Sequence, residues 1–112
     1  MSANRSEKII KIVKGAAADF MQKESNGASL ITITNAILSN DEKYATILFT
    51  VLPADKEQPA LEFAKRMRSE FKEYVKTHTK LGKIPMFDFA IDLGEKHRQK
   101  IDLISLKKNK AQ

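Results

Sequence analysis

The stretch Leu30–Leu52, LITITNAILSNDEKYATILFTVL, decides the fold. In its first half Ile31, Ile33 and Ile37 share one side, while Thr32 and Thr34 face the other. In its second half Ala45, Ile47, Phe49 and Val51 share one side, opposite Thr46, Leu48 and Thr50. Alternation with a period of two, rich in β-branched residues, marks half-buried antiparallel strands, here Leu30 to Ser39 and Tyr44 to Leu52. Ser39-Asn40-Asp41-Glu42-Lys43 is a short polar loop between them, so the pair is a hairpin.

Upstream, from about Ser6 to Met21, the period changes. Ile9, Ile10, Ile12, Val13, Ala16, Ala17 and Phe20 recur at helical spacing on one face, with Lys8, Lys11 and Lys14 on the other. Ser6 or Ser2 suits the N-cap, and the helix should end before Ser25-Asn26-Gly27. Downstream, Pro53 to Gln58 is a polar connector, and Pro59 suits the first turn of a second helix. That helix carries Leu61, Ala64, Met67, Phe71, Tyr74, Val75 and His78 on one face and should stop near Gly82. A third strand follows at Met86–Ile91, with Phe87, Phe89 and Ile91 inward. A short amphipathic helix is expected at about Glu95–Leu106, then a polar tail over 107–112. Three strands cannot close a barrel, so the helices must cover one face of a single sheet. The expected fold is a single-domain α+β two-layer sandwich spanning residues 1–112.

Composition narrows the function. The chain has 112 residues, 42% of them hydrophobic, which suffices for one core. No apolar run approaches the roughly 20 residues that cross a bilayer, and no apolar signal core follows Met1-Ser2-Ala3-Asn4-Arg5. There is no cysteine, which removes disulfide and thiolate chemistry and fits a reducing cytosol. His78 and His97 lack the spacing of a helical metal pair, and the glycines at 15, 27, 82 and 94 stand in no phosphate-binding or nucleophile motif. Asp88 and Asp92 alternate with core residues and look like a polar strand face. No catalytic residue, metal, cofactor, membrane or small-molecule substrate is expected, and monomer is the expected state.

The charge is more informative. Lys and Arg total 20 against 14 acidic residues, a net charge of +6. Such a surplus favours polyanionic partners, although solubility alone also accounts for many small basic proteins. Its distribution is sorted: Lys65, Arg68, Lys72 and Lys76 project along one flank of the second helix, and Glu62, Glu70 and Glu73 along the other. A segregated row of cations can track a phosphate backbone, and Lys80 and Lys83 extend it. Lysine stems that merely cover a core stripe are the plainer alternative. Five of the six phenylalanines occupy core positions, so recognition of backbone and shape is favoured over stacking of splayed bases. Tyr44, on the outer side of its strand, is a candidate stacking platform, although a tyrosine at a strand edge is more often simply half-exposed.

Residues 31–46, Ile-Thr-Ile-Thr-Asn-Ala-Ile-Leu-Ser-Asn-Asp-Glu-Lys-Tyr-Ala-Thr, resemble the β-hairpin of the ribosome-binding factor A family. Arg5-Ser6-Glu7-Lys8-Ile9 is similar to that family's opening motif. Lys83-Ile84-Pro85-Met86-Phe87-Asp88-Phe89 is similar to the segment leading into its last strand, and Lys100-Ile101-Asp102-Leu103-Ile104 to its close. The resemblance covers about residues 5–106. It implies a type II KH fold of α-β-β-α-(kink)-α-β order, without the usual Gly-x-x-Gly loop. The family's Ala-x-Gly kink aligns with Met67-Arg68-Ser69, where both defining residues differ, and serine accommodates a sharp angle less readily than glycine.

The resemblance further implies a cytoplasmic assembly factor that binds the maturing small (30S) ribosomal subunit. It would contact the 16S rRNA near the decoding region and assist its processing, notably in the cold. Expected phosphate contacts are Lys65, Arg68, Lys72, Lys76, Lys80 and Lys83, with Lys8, Lys11 and Lys14 as a second surface. The alternatives are a KH-like module for a non-ribosomal RNA, and a protein-interaction domain using the Thr-rich sheet face or the acidic helix flank.

Overall fold

The computed structural model describes residues 2–24, 27 and 29–98. Its elements run α1 (Ser2–Glu24), β1 (Leu30–Leu38), β2 (Tyr44–Leu52), a 3-10 turn (Ala54–Lys56), α2 (Glu57–Arg66), α3 (Arg68–His78) and β3 (Met86–Ile91). Helical backbone resumes over 93–98. Most of the expected Glu95–Leu106 helix, and all of the 107–112 tail, lies outside the described residues.

The strands form one sheet in the order β1-β2-β3. β1 and β2 pair antiparallel, as a hairpin must. β3 pairs with β2 in parallel, from Tyr44↔Met86 to Phe49↔Ile91. Parallel neighbours need a long crossover, and α2 with α3 supplies it. α1 packs on β1 and α3, α3 also on β3, and α2 on β3 and β2, so all three helices lie against the sheet. This is an α+β two-layer sandwich with the element order of a type II KH domain.

The core between the layers is centred on Phe71, which is fully buried. Its ring lies 4.7 Å from that of Phe87, 5.3 Å from Phe20 and 5.6 Å from Phe89, all in tilted or edge-on geometry. One side chain of α3 thereby joins α1 and β3, and tilted aromatic pairs add to the area they bury. Small residues set the close approaches: Ala17 on α1, Ala60 and Ala64 on α2, Ala45 on β2 are all buried.

The crossover helix breaks at Met67, whose backbone (φ −92°, ψ 7°) is bridging rather than helical. Its amide donates to the carbonyls of both Phe63 and Ala64 at 3.1 Å, while its own carbonyl accepts from Phe71 at 2.8 Å. Ala64 and Phe71, on either side of the break, are both buried in the core. Ser69 lies in the regular first turn of α3. Any L-residue reaches the bridge region, so the break at Met67 needs no glycine.

Several details differ from the sequence reading. α1 starts at Ser2, which places Ser6 within the helix rather than at its cap. α3 ends at His78, four residues before Gly82, because Thr79 turns extended and directs both its amide and its hydroxyl to the Val75 carbonyl. His78 is exposed and stacks on the Tyr74 ring, with centroids 4.0 Å apart.

β1 contains a bulge: the register slips between Ile33 and Asn35. The extra residue, Thr34, donates its hydroxyl to the Leu48 carbonyl and the Asp92 carboxylate. A one-residue slip inverts the faces beyond it. Ala36 therefore enters the core at 5% exposure, and Ile37, expected inward, turns out at 56%. With Leu30, Tyr44, Leu52 and Met86 it leaves exposed apolar side chains on the uncovered sheet face, where a polar, Thr-rich surface was expected. They cluster toward the two ends of the sheet, as the pairs Leu30↔Leu52 and Tyr44↔Met86.

Truncating Phe71 to Ala should cost about 3–5 kcal/mol, because the ring has no freedom to be replaced by neighbours. In equilibrium urea unfolding the midpoint should fall steeply, whereas Ser69→Gly, in an exposed helical turn, should cost only about 1 kcal/mol.

Candidate nucleic-acid interface

Parallel pairing of β3 on β2 has a local consequence at the sheet end where Tyr44 and Met86 lie. The Met86 amide donates to the Lys43 carbonyl at 2.8 Å, which holds the loop between α3 and β3 against the β1–β2 turn. The N-terminal half of α1 closes the third side, with Arg5 reaching Glu42 at 3.2 Å. These three segments enclose a half-open cleft of about 440 Å3. Ile9, Ile12, Leu81 and Pro85 form its apolar part, and Arg5, Lys8, Lys80 and Lys83 its cationic part. Among the described residues Glu42 is the only carboxylate in the lining. Four cations against one carboxylate on low-dielectric walls concentrate positive potential there.

The turn that supplies Glu42 is tightly built. Asp41 accepts from the Ser39 hydroxyl at 2.7 Å and from the Lys43 amide at 3.1 Å. Ser39 in turn accepts from the Tyr44 amide through its hydroxyl and from the Glu42 amide through its carbonyl. The Ser39 hydroxyl, and then the Lys43 amide, hold the Asp41 carboxyl below its ordinary value of 3.8. Within this clamp Glu42 takes a left-handed backbone (φ 61°). A non-glycine residue there costs of order 1–3 kcal/mol and persists where its surroundings impose it.

The structure divides the basic residues singled out in the sequence. Lys8, Lys80 and Lys83, drawn from two different elements, meet in the cleft. Lys65 and Arg68 lie at the helix break, both beside Asp88, at 3.6 and 3.4 Å. The Arg68 Nε also donates to the Lys65 carbonyl. Lys72 is half-buried, its Nζ 3.5 Å from the Met86 sulfur, and Lys76 is exposed one turn further on. Lys11 and Lys14, on α1, are not among the residues lining the cleft. The pairs with Asp88 are half-exposed and so are worth little, at most about 1 kcal/mol each. The kink flank thus sets four of the named cations against Asp88, the same balance as the cleft, and differs in lying along the open crossover helices rather than in a cleft.

Asp88 and Asp92, read as a plain polar face, have separate tasks. Asp88 holds the two cations, and Asp92 caps the helical turn at 93–98 by accepting from the Glu95 amide at 2.9 Å. Two cleft residues escaped the sequence reading. Arg5 stands one helical turn before Lys8 and was legible as the same stripe, whereas Glu42 carries no signal in a loop of mixed polar residues. Ile12, assigned to the core, is 37% exposed because it faces the cleft. Among the described residues no cluster of His, Asp or Glu could hold a metal ion, and no helix is long and apolar enough to cross a membrane.

The family model described as ribosome-binding factor A matches residues 5–105. The chain belongs to the ribosome-binding factor A family. It is 30% identical to the ribosome-binding factor A of Kosmotoga olearia over 87 residues, which cover 77% of this chain and 70% of that one. It is 27% identical to that of Flavobacterium johnsoniae over 108 residues, covering 91% and 83%. The crystal structure of ribosome-binding factor A from Thermus thermophilus superposes with a TM-score of 0.68 at 17% identity, over 76% of this chain and 92% of that chain. The fold is thus that of ribosome-binding factor A, and the break at Met67 falls where the family's kink aligns.

The Asp41 clamp makes the turn sensitive to acid. A carboxyl whose folded pKa is depressed contributes stability that is present above its unfolded value and lost as pH falls through the folded one. Below the ordinary value of 3.8 the Lys43 and Tyr44 amide resonances should therefore shift together. In Asp41→Ala they should occupy the acid positions at neutral pH. Unchanged amides in that variant would show that the clamp does not hold the turn.

Proposed function

We propose that this member of the ribosome-binding factor A family binds the small ribosomal subunit through its rRNA and assists maturation of that subunit and processing of the 16S rRNA. The observation that carries this reading is the convergence of Arg5, Lys8, Lys80 and Lys83 from two separate segments on one end of the molecule. Tyr44 stands exposed at the same end of the sheet. Lys65, Arg68, Lys72 and Lys76, with Lys11 and Lys14, are assigned supporting phosphate contacts around it.

The mechanism is non-covalent. A protein that binds one RNA conformation better than another shifts the population toward it by its differential affinity, and no bond need be made or broken. On this reading it works as a cytoplasmic, monomeric, single-domain assembly factor rather than an enzyme. The requirement for it is greatest in the cold, where RNA leaves misfolded states slowly.

A protein-docking role is a second reading. The observation favouring it is the exposed apolar set Leu30, Ile37, Tyr44, Leu52 and Met86 on the uncovered sheet face. The two readings differ in their dependence on salt.

Co-sedimentation with mature and immature small subunits across a salt series tests the proposal, with large subunits as control. Binding should be selective for small subunits and weaken steeply with salt. Lys8→Glu with Lys83→Glu should lower affinity by about tenfold or more, and the salt slope should fall by about one for each phosphate no longer neutralised. Equal binding to both subunits would reduce the role to general RNA affinity. Salt-insensitive binding would favour the sheet face instead.

A further inference from the structure

The cleft holds more than a cationic surface needs. A site for phosphate alone has no use for an apolar wall, and a carboxylate in it repels the ligand. Here Ile9, Ile12 and Leu81 line one part, and Glu42 is held in place by a turn that imposes a left-handed backbone on it. One carboxylate oxygen, Oε1, faces Arg5. The side chain keeps about 21% of its surface exposed and lines the cleft, so a ligand there can reach it. A carboxylate only accepts, so it calls for a ligand bearing N–H donors as well as phosphate. A free inorganic anion meets the lysines but neither the apolar wall nor the carboxylate.

We propose that the cleft receives one unpaired nucleotide of an RNA strand, with its base against Ile9, Ile12 and Leu81 and its flanking phosphates on Lys8, Lys80 and Lys83. Glu42 then reads the base, and the base it fits is guanine. Guanine presents two adjacent N–H donors on its Watson–Crick edge, whereas adenine, cytosine and uracil each place an acceptor beside the donor. Unpaired bases are the part of RNA that proteins read in this way. The cleft, about 440 Å3, falls within the range that holds a small ligand and is far too small for a duplex. This inference rests on the reading that the basic end of the molecule is its RNA face, and it names what that face selects.

Fluorescence anisotropy with labelled uridine heptamers carrying a central guanine, adenine, cytosine or uracil tests it, at one fixed salt concentration. The guanine heptamer should bind roughly tenfold tighter than the others, the discrimination expected of a good bidentate base contact. Glu42→Gln should erase that preference and, by removing a negative charge beside the phosphates, raise the affinity of the other three heptamers toward that of the guanine one. Glu42→Gly, which relieves the left-handed backbone, should do the same with an unaltered circular dichroism spectrum. Lys83→Glu should weaken all four alike.

Equal affinity for the four heptamers, or a guanine preference that survives Glu42→Gln, would overturn the proposal. So would equal binding of a duplex, and displacement by guanosine monophosphate at matching concentration would assign the cleft to a free nucleotide instead. Co-sedimentation of the same variants separates the two readings. If Lys8→Glu loses the subunit while the heptamers bind without preference, the RNA face stands and the guanine pocket falls.

Discussion

The parallel pairing of β3 with β2 is the constraint on which the rest of the molecule depends. It obliges the chain to cross over the sheet between Leu52 and Met86, and that crossover is the pair of helices α2 and α3. It also returns the chain to the end of the sheet where β2 began, so Lys80 and Lys83 arrive beside the turn that carries Glu42. Phe71 fixes the result, since its ring is shared by α1, α3 and β3. Ala64 and Phe71, seven residues apart on either side of Met67, both bury against the sheet. Met67 marks the junction of the two helices, in a backbone region open to any L-residue.

Stability and function meet at the turn. The fold needs only a hairpin connection there, which glycine or asparagine at a left-handed position serves well. Glu42 occupies that position instead, held by the Asp41–Ser39 network and reaching Arg5. Backbone strain retained against a cheaper alternative is a reason to look for a role in the side chain, and its place in the lining of a basic cleft supplies one. The kink flank is different. Lys65 and Arg68 already have Asp88 as a partner, so phosphate binding there exchanges one ion pair for another. In the cleft only Arg5 has such a partner, and Lys8, Lys80 and Lys83 have no ion pair among the described residues.

Much of the architecture was legible because it rests on local periodicity. The hairpin Leu30–Leu52, the aromatic positions 20, 49, 71, 87 and 89, and the β3 boundaries all follow from which residues alternate. The bulge at Thr34 was not legible, because alternation on either side of it is intact and only the register across the sheet reveals the slip. Ile37 was misplaced for that reason alone. The break in the crossover helix left no mark in the pattern either, and it was placed at residues 67–69 by resemblance to the family. Charge sorting along one helix pointed to Lys65, Arg68, Lys72 and Lys76. The cleft depends instead on proximity between residues about 75 positions apart in the chain, as for Lys8 and Lys83, which no helical wheel contains.

On the proposed reading the cleft end of the molecule carries the principal RNA contact, with the kink flank in support. Lysine acylation of the protein, free and bound to small ribosomal subunits, followed by mass spectrometry, tests it most directly. The account predicts strong protection of Lys8, Lys80 and Lys83 on the subunit, with Lys56 and Lys96, near the start of α2, as reactive as in the free protein. Protection confined to Lys65 and Lys72, with Lys8, Lys80 and Lys83 still fully reactive, would contradict it.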